Sequence, residues 1–281
     1  MVLPCTNLPK FVAQIQPTID LLKGLDVQHP DVLLQHGVNP DDYHRNLVFR
    51  SAVESIRGSY AATVGNTREN VIDTTLEQLK VDGLIVDYQK GGRRFDRQVM
   101  ISDQPCTMAA LEVKGGEGNS IQVSERPLWA QEFLLWCHLD GSIGNSPGRG
   151  AQSIMGRIAA DIVRRGKLVD AALIRDRLCG TTTRPCPKYF GREIPTRLGV
   201  GPDVFLFPKT QPTLDNPEPP LHDETSLSLP FRILQAYGVT EEERLNHVWN
   251  VHIRVFEDRK GQTRHSMEIE YRGTLIDVEE V

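Results

Sequence analysis

The chain has no apolar run approaching the roughly 20 residues that a membrane-spanning helix needs. Its N-terminus lacks a basic stretch followed by an apolar core, so no secretory leader is expected. Cysteine is sparse: Cys5, Cys106, Cys137, Cys179 and Cys186 are odd in number and scattered, without a CxxC pair or a Cys/His pattern. That argues against a zinc site and against a disulfide framework, and it fits reduced thiols in a cytoplasm. Several catalytic signatures are also missing. There is no serine-nucleophile elbow, no HExxH and no dinucleotide fingerprint. The loop at 141–150 lacks the Lys-Ser/Thr ending of a phosphate-binding loop, so no nucleotide cofactor is expected. Internal repeats and low-complexity tracts are absent.

What remains is an ordinary globular composition, with 39% hydrophobic and 25% charged residues among 281. A chain of this length can bury a substantial core in one large domain, or in one domain with a lobe. The net charge of −5 hides an asymmetry. Residues 149–197 hold eleven Lys and Arg against four Asp and Glu, a local excess of seven positive charges. A basic block on an acidic chain is the footprint of a polyanion site, although a solvated helical face gives the same composition.

Helical spacing of apolar residues predicts helices at 9–24 and 41–62, forming an N-terminal lobe over residues 1–64. Asn66 and Glu69 form a candidate capping box for a helix at 67–81, with Ile72, Leu76 and Leu79 as its stripe. Residues 84–88 read as a strand and 90–94 as a tight hairpin turn whose glycines supply positive φ. The bases Lys90, Arg93 and Arg94 lie there, suited to phosphates. A further helix is expected from Ser124, as N-cap, to about 138, with Arg126 and Gln131 on its surface. Two more helices are expected at 151–165 and 168–178, inside a basic insertion at 149–200. Arg184, Lys188 and Arg192 fall in an aperiodic stretch with donors for base edges. Strands are expected at 201–207, 248–256 and 266–276, and a short helix at 229–237.

The chemistry concentrates in two predicted strands, Phe95–Ile101 and Ala109–Lys114. Side chains alternate faces along a strand, so Glu112 and Lys114 share one face and Val113 points the other way. Asp96 opens the preceding strand, with fifteen residues between it and Glu112. If the strands are neighbours, Asp96 and Glu112 converge on one divalent cation, with Lys114 beside the oxygen to be activated. Two carboxylates and the Val113 carbonyl are the hard oxygen donors that Mg2+ prefers. Two rival acids are noted. Asp87 sits one strand early, and Asp203 follows Pro202 but has no Glu-x-Lys after it.

The pattern Asp-x15-Glu-x-Lys resembles the PD-(D/E)xK nuclease superfamily, and within it a type II restriction endonuclease. The resemblance covers about residues 66–140; Phe95 stands where the superfamily often has Pro. It implies an α/β (α+β) fold with a central mixed β-sheet flanked by helices, a nuclease core over 65–281. It further implies Mg2+-dependent hydrolysis of double-stranded DNA to 5′-phosphate ends, a restriction system, and a homodimer. It makes Asp96, Glu112 and Lys114 the catalytic residues and Glu69 a candidate further metal ligand. A repair nuclease of the same superfamily and a non-catalytic DNA-binding protein are the alternatives.

Overall fold

Five consecutive residues, Phe133 to Cys137, are fully buried. Such a run fits a buried helix or a strand covered on both faces, and periodicity alone does not separate the two. In the computed structural model, which describes residues 67–92, 95–115, 121–139, 151–176, 198 and 201–281, it is a strand. The N-terminal lobe expected at 1–64 lies outside the described residues.

The described residues form a nine-stranded mixed sheet with three α-helices. The sequence of elements is α1 (Thr67–Val81), β1 (Asp87–Lys90), β2 (Arg97–Asp103), β3 (Cys106–Gly115), β4 (Glu132–Leu139), α2 (Ala151–Arg165), β5 (Ala171–Asp176), β6 (Asp203–Leu206), α3 (Leu229–Ala236), β7 (Val248–Glu257), β8 (Thr263–Tyr271) and β9 (Thr274–Glu280). Strands neighbour one another in chain order. β1, β2 and β3 form an antiparallel meander; β4 and β5 run parallel to β3. β6 is antiparallel to β5 and parallel to β7, and β7 to β9 close the sheet as a second meander.

Both faces of the central strands are covered. On one side Leu134 and Trp136 of β4 and Ala171 and Leu173 of β5 pack with Ile72, Leu76 and Leu79 of α1 and Ile233 and Leu234 of α3. On the other side Phe133, Leu135 and Cys137 pack with Ile154, Ile158 and Ile162 of α2. Burial on two faces is why β4 and β5 carry continuous apolar runs. The helices expected at 124–138 and 168–178 are therefore corrected to a loop followed by β4, and to β5. Residues 151–176, expected inside a basic insertion, belong to the core: α2 covers one face and β5 is the fifth of nine strands.

The turn between β1 and β2 also differs. The strand expected at 84–88 begins at Asp87, and the Gly91 N–H donates to the Asp96 carbonyl across the loop at 2.7 Å. Gly91 does not have positive φ. Glycine is required there because a Cβ would collide with the Phe95 carbonyl. The C-terminal hairpin gains a third strand, β9, beyond the expected pair. Among the described residues, no helix is long and apolar enough to cross a membrane.

Candidate active site

The paired register of β2 and β3 begins with Arg97 opposite Leu111, one residue from Asp96 on one strand and from Glu112 on the other. The Asp96 N–H also donates to the Leu111 carbonyl, at 3.0 Å, so the regular register stops at Arg97. Its side chain then takes over from the backbone: Oδ2 accepts the Val113 N–H at 2.7 Å. Asp96 and Glu112 thus stand at the ends of adjacent strands, and Glu112 shares the face of Ala110, the side covered by α2.

Glu112 is only 7% exposed. Its Oε1 accepts from Lys114 Nζ at 2.6 Å and from Ser124 Oγ at 2.6 Å, and its Oε2 accepts the Ser124 N–H at 3.1 Å. The alternation of β3 places Lys114 on the same face as Glu112, and the ammonium folds back onto the carboxylate two residues away. Ser124 comes from the loop joining β3 to β4. Ile121 and Val123 bury their side chains in the core under α2. The Val123 N–H donates to Asp161 Oδ2 on α2 at 2.8 Å, and Arg165 holds the other oxygen of Asp161 at 2.8 Å. Farther along, Trp129 packs edge-on against Phe95, the neighbour of Asp96, with ring centroids 5.1 Å apart.

A carboxylate offers about four acceptor positions, so Glu112 with three donors keeps about one. Asp96 Oδ1 has no hydrogen-bond partner among the described residues. The donors at this corner are hard oxygens, the chemistry that suits Mg2+ or Ca2+ better than softer metals. No group of three His, Cys, Asp or Glu placed to hold a metal occurs among the described residues. Glu69 lies in the first turn of α1, and its side chain is outside the described residues.

The thiol of Cys137 on β4 is pushed up to about 12 by burial. The charges of Lys114 and Arg157 oppose that shift and the charge of Glu112 adds to it. Arg157 stands on α2, the helix that covers the face shared by Ala110 and Glu112.

Other expected site residues fall elsewhere. Lys90 is exposed at the end of β1, across from Arg97. Arg126 does not stand on a helix face; its guanidinium turns onto Asp170. The side-chain oxygen of Gln131 accepts the Met108 N–H at 2.7 Å. Met108 is four residues before Glu112, about 13 Å along the strand, so Gln131 is away from the carboxylate pair. Arg93, Arg94, Arg184, Lys188 and Arg192 lie outside the described residues. The rival Asp87 pairs with Lys80 at 2.8 Å, and that hydrogen bond holds it below the usual carboxylate range. Asp203 sits in β6, three strands from β3.

A second polar cluster has no counterpart among the sequence expectations. Asp170, 1% exposed, accepts the Phe133 N–H at 2.7 Å and faces both Arg126 and His222. His222 Nε2 is 2.9 Å from Asp170 Oδ1 but points off the hydrogen-bond direction, so the contact is electrostatic. The neighbouring Glu132 accepts the N–H groups of Ser228 at 2.6 Å and Leu229 at 2.9 Å, at the start of α3. Burial pushes the Glu132 pKa above its ordinary value even though those two bonds favour the ionised form.

Ser124, expected only as a helix cap, and Asp161 are the site residues that sequence reasoning missed. Comparison of the chain with models of known protein families, with curated proteins and with solved structures finds no match.

Proposed function

We propose that the protein is a metal-dependent nuclease of the PD-(D/E)xK type that cuts double-stranded DNA, most like a type II restriction endonuclease. One observation carries this reading. Asp96, Glu112 and Lys114 stand at or beside the ends of two adjacent antiparallel strands, with Asp96 Oδ2 on the Val113 N–H and Lys114 Nζ on Glu112 Oε1. The strand context supports it: a helix, then an antiparallel meander that carries Asp on one strand and Glu-x-Lys on the next. The helix expected directly after that strand is replaced by β4, with α2 following one strand later.

Hydrolysis of a phosphodiester needs a deprotonated water, stabilisation of charge on the phosphoryl oxygens, and protonation of the leaving 3′ oxygen. Asp96, Glu112 and the Val113 carbonyl are the residues that would hold Mg2+, which supplies positive charge against the phosphate and acidifies water. Lys114 adds a point charge beside the attacked phosphorus, held in place by Glu112. Attack on phosphorus with departure of the 3′ oxygen leaves a 5′-phosphate and a 3′-hydroxyl. The basic excess in residues 149–197 supplies charge for the DNA backbone. One such site cuts one strand, so cutting both strands at a palindrome calls for a twofold homodimer.

The test is digestion of a sequenced plasmid by the full chain with Mg2+. Discrete fragments bearing 5′-phosphates support the restriction-type reading. A smear points to a nuclease acting on damaged or structured DNA. An intact plasmid, together with calorimetry showing no Ca2+ binding, favours a non-catalytic DNA-binding protein.

A further inference from the structure

We infer that Ser124 is the positioning residue for Glu112: it sets the orientation of the carboxylate, and thereby the site's affinity for a divalent cation. The inference rests on the proposed nuclease reading and names a residue that reading did not require. Three observations support it. Ser124 reaches both oxygens of Glu112, through Oγ to Oε1 at 2.6 Å and through its N–H to Oε2 at 3.1 Å. Two donors from one residue on two oxygens of one carboxylate fix its rotation as well as its place. The loop that carries Ser124 is itself anchored, because the Val123 N–H is held by Asp161 of α2 at 2.8 Å and Asp161 is held by Arg165. The third partner, Lys114, reaches only Oε1 and lies on the same strand as Glu112. Lys114 therefore cannot fix the plane of the carboxylate from outside β3, whereas Ser124 can.

Ligating carboxylates work best when an outer hydrogen bond holds them in the binding orientation. Without Oγ, Glu112 keeps the Ser124 N–H and Lys114 but loses one of two anchors to the loop. The carboxylate is then freer to rotate about its terminal bond. Ser124 touches neither substrate nor cation in this scheme; its effect passes through Glu112.

The test is calorimetric titration of Ca2+ into the full-length protein, with Ser124→Ala, Ser124→Thr and Glu112→Ala beside wild type. Ser124→Ala is expected to weaken Ca2+ binding by about 10-fold or more. Its melting temperature should stay near wild type, because Val123 still anchors the loop. Ser124→Thr, which keeps the hydroxyl, should restore the affinity. In plasmid cleavage, Ser124→Ala should raise the Mg2+ concentration for half-maximal rate by a similar factor and leave the saturated rate within a few-fold. Ser124→Cys, of similar size with a weak donor, carries the same expectation should the alanine variant fail to fold. Wild-type Ca2+ affinity in folded Ser124→Ala, alongside lost affinity in Glu112→Ala, overturns this inference alone. Wild-type affinity in both variants overturns the nuclease reading with it.

Discussion

Glu112 and Asp170 are both buried carboxylates in contact with a cationic side chain and a backbone N–H, yet their partners come from different distances along the chain. Glu112 is held by Lys114, two residues away, and by Ser124, twelve away. Asp170 is held by Phe133, 37 residues away, and by Arg126, 44 away, and it faces His222 as well. The first set is a local clasp at a strand end, which can exchange one donor for another ligand without separating any elements. The second set ties the loop after β3, the start of β4, the start of β5 and the segment after β6 into one knot. A buried acid with a cation beside it is thus not by itself a sign of chemistry. What separates the two clusters is the reach of their partners along the chain, local at Glu112 and long-range at Asp170.

That contrast can be broken by mutation. The largest effect should come from Lys114→Ala and Asp96→Ala. Each is expected to lower Mg2+-dependent cleavage by at least about 100-fold, the scale for losing one preorganised electrostatic group. DNA binding in a gel-shift assay should persist in both. Asp170→Ala should show the opposite profile, losing about 1–3 kcal/mol of stability in urea unfolding because the buried Phe133 N–H and the partly exposed Arg126 lose their acceptor. A folded Asp170→Ala protein that has lost cleavage but not stability would erase the distinction between the two clusters.

Glu132 sharpens the comparison through pH. Its folded pKa is raised by burial, so the folded state holds the proton more tightly than the unfolded chain. The associated stability is full below the ordinary carboxylate pKa and is lost as pH rises through the raised folded value. Thermal melts across that window should show this loss in wild type and not in Glu132→Gln. The smallest effect is expected at Lys90, exposed at the end of β1. Lys90→Ala should weaken DNA binding modestly and reduce the slope of log affinity against log salt by about one.

Much of the fold is legible in local pattern. The stripe Ile72, Leu76 and Leu79 faces the core as its helical spacing requires, and all three are fully buried. α2 and α3 lie where their apolar spacing predicts. β4 and β5 read as helices because strands buried on both faces show no alternation, and Phe133 to Cys137 fills both layers of the core at once. At Gly91 the residue type is legible but its reason is not. Close approach of the Phe95 carbonyl, rather than positive φ, excludes a side chain there. At the site, the neighbourhood of Asp96 and Glu112 follows from two strands joined by a short turn. Ser124 is not legible as their partner, since a serine before a Glu-x-Pro stretch reads equally well as a helix cap. Arg126 and Gln131 belong to no helix face, and their partners, Asp170 and the Met108 N–H, are set by how the loop packs.

The central claim is that Glu112 belongs to a DNA-cleaving metal site. Its most direct test is cleavage of one plasmid, in the same Mg2+ buffer, by purified wild-type protein and by Glu112→Ala protein shown by its melt to be folded. Cut DNA with 5′-phosphate ends is expected from wild type and none from the variant. Equal cutting by both proteins would contradict the claim.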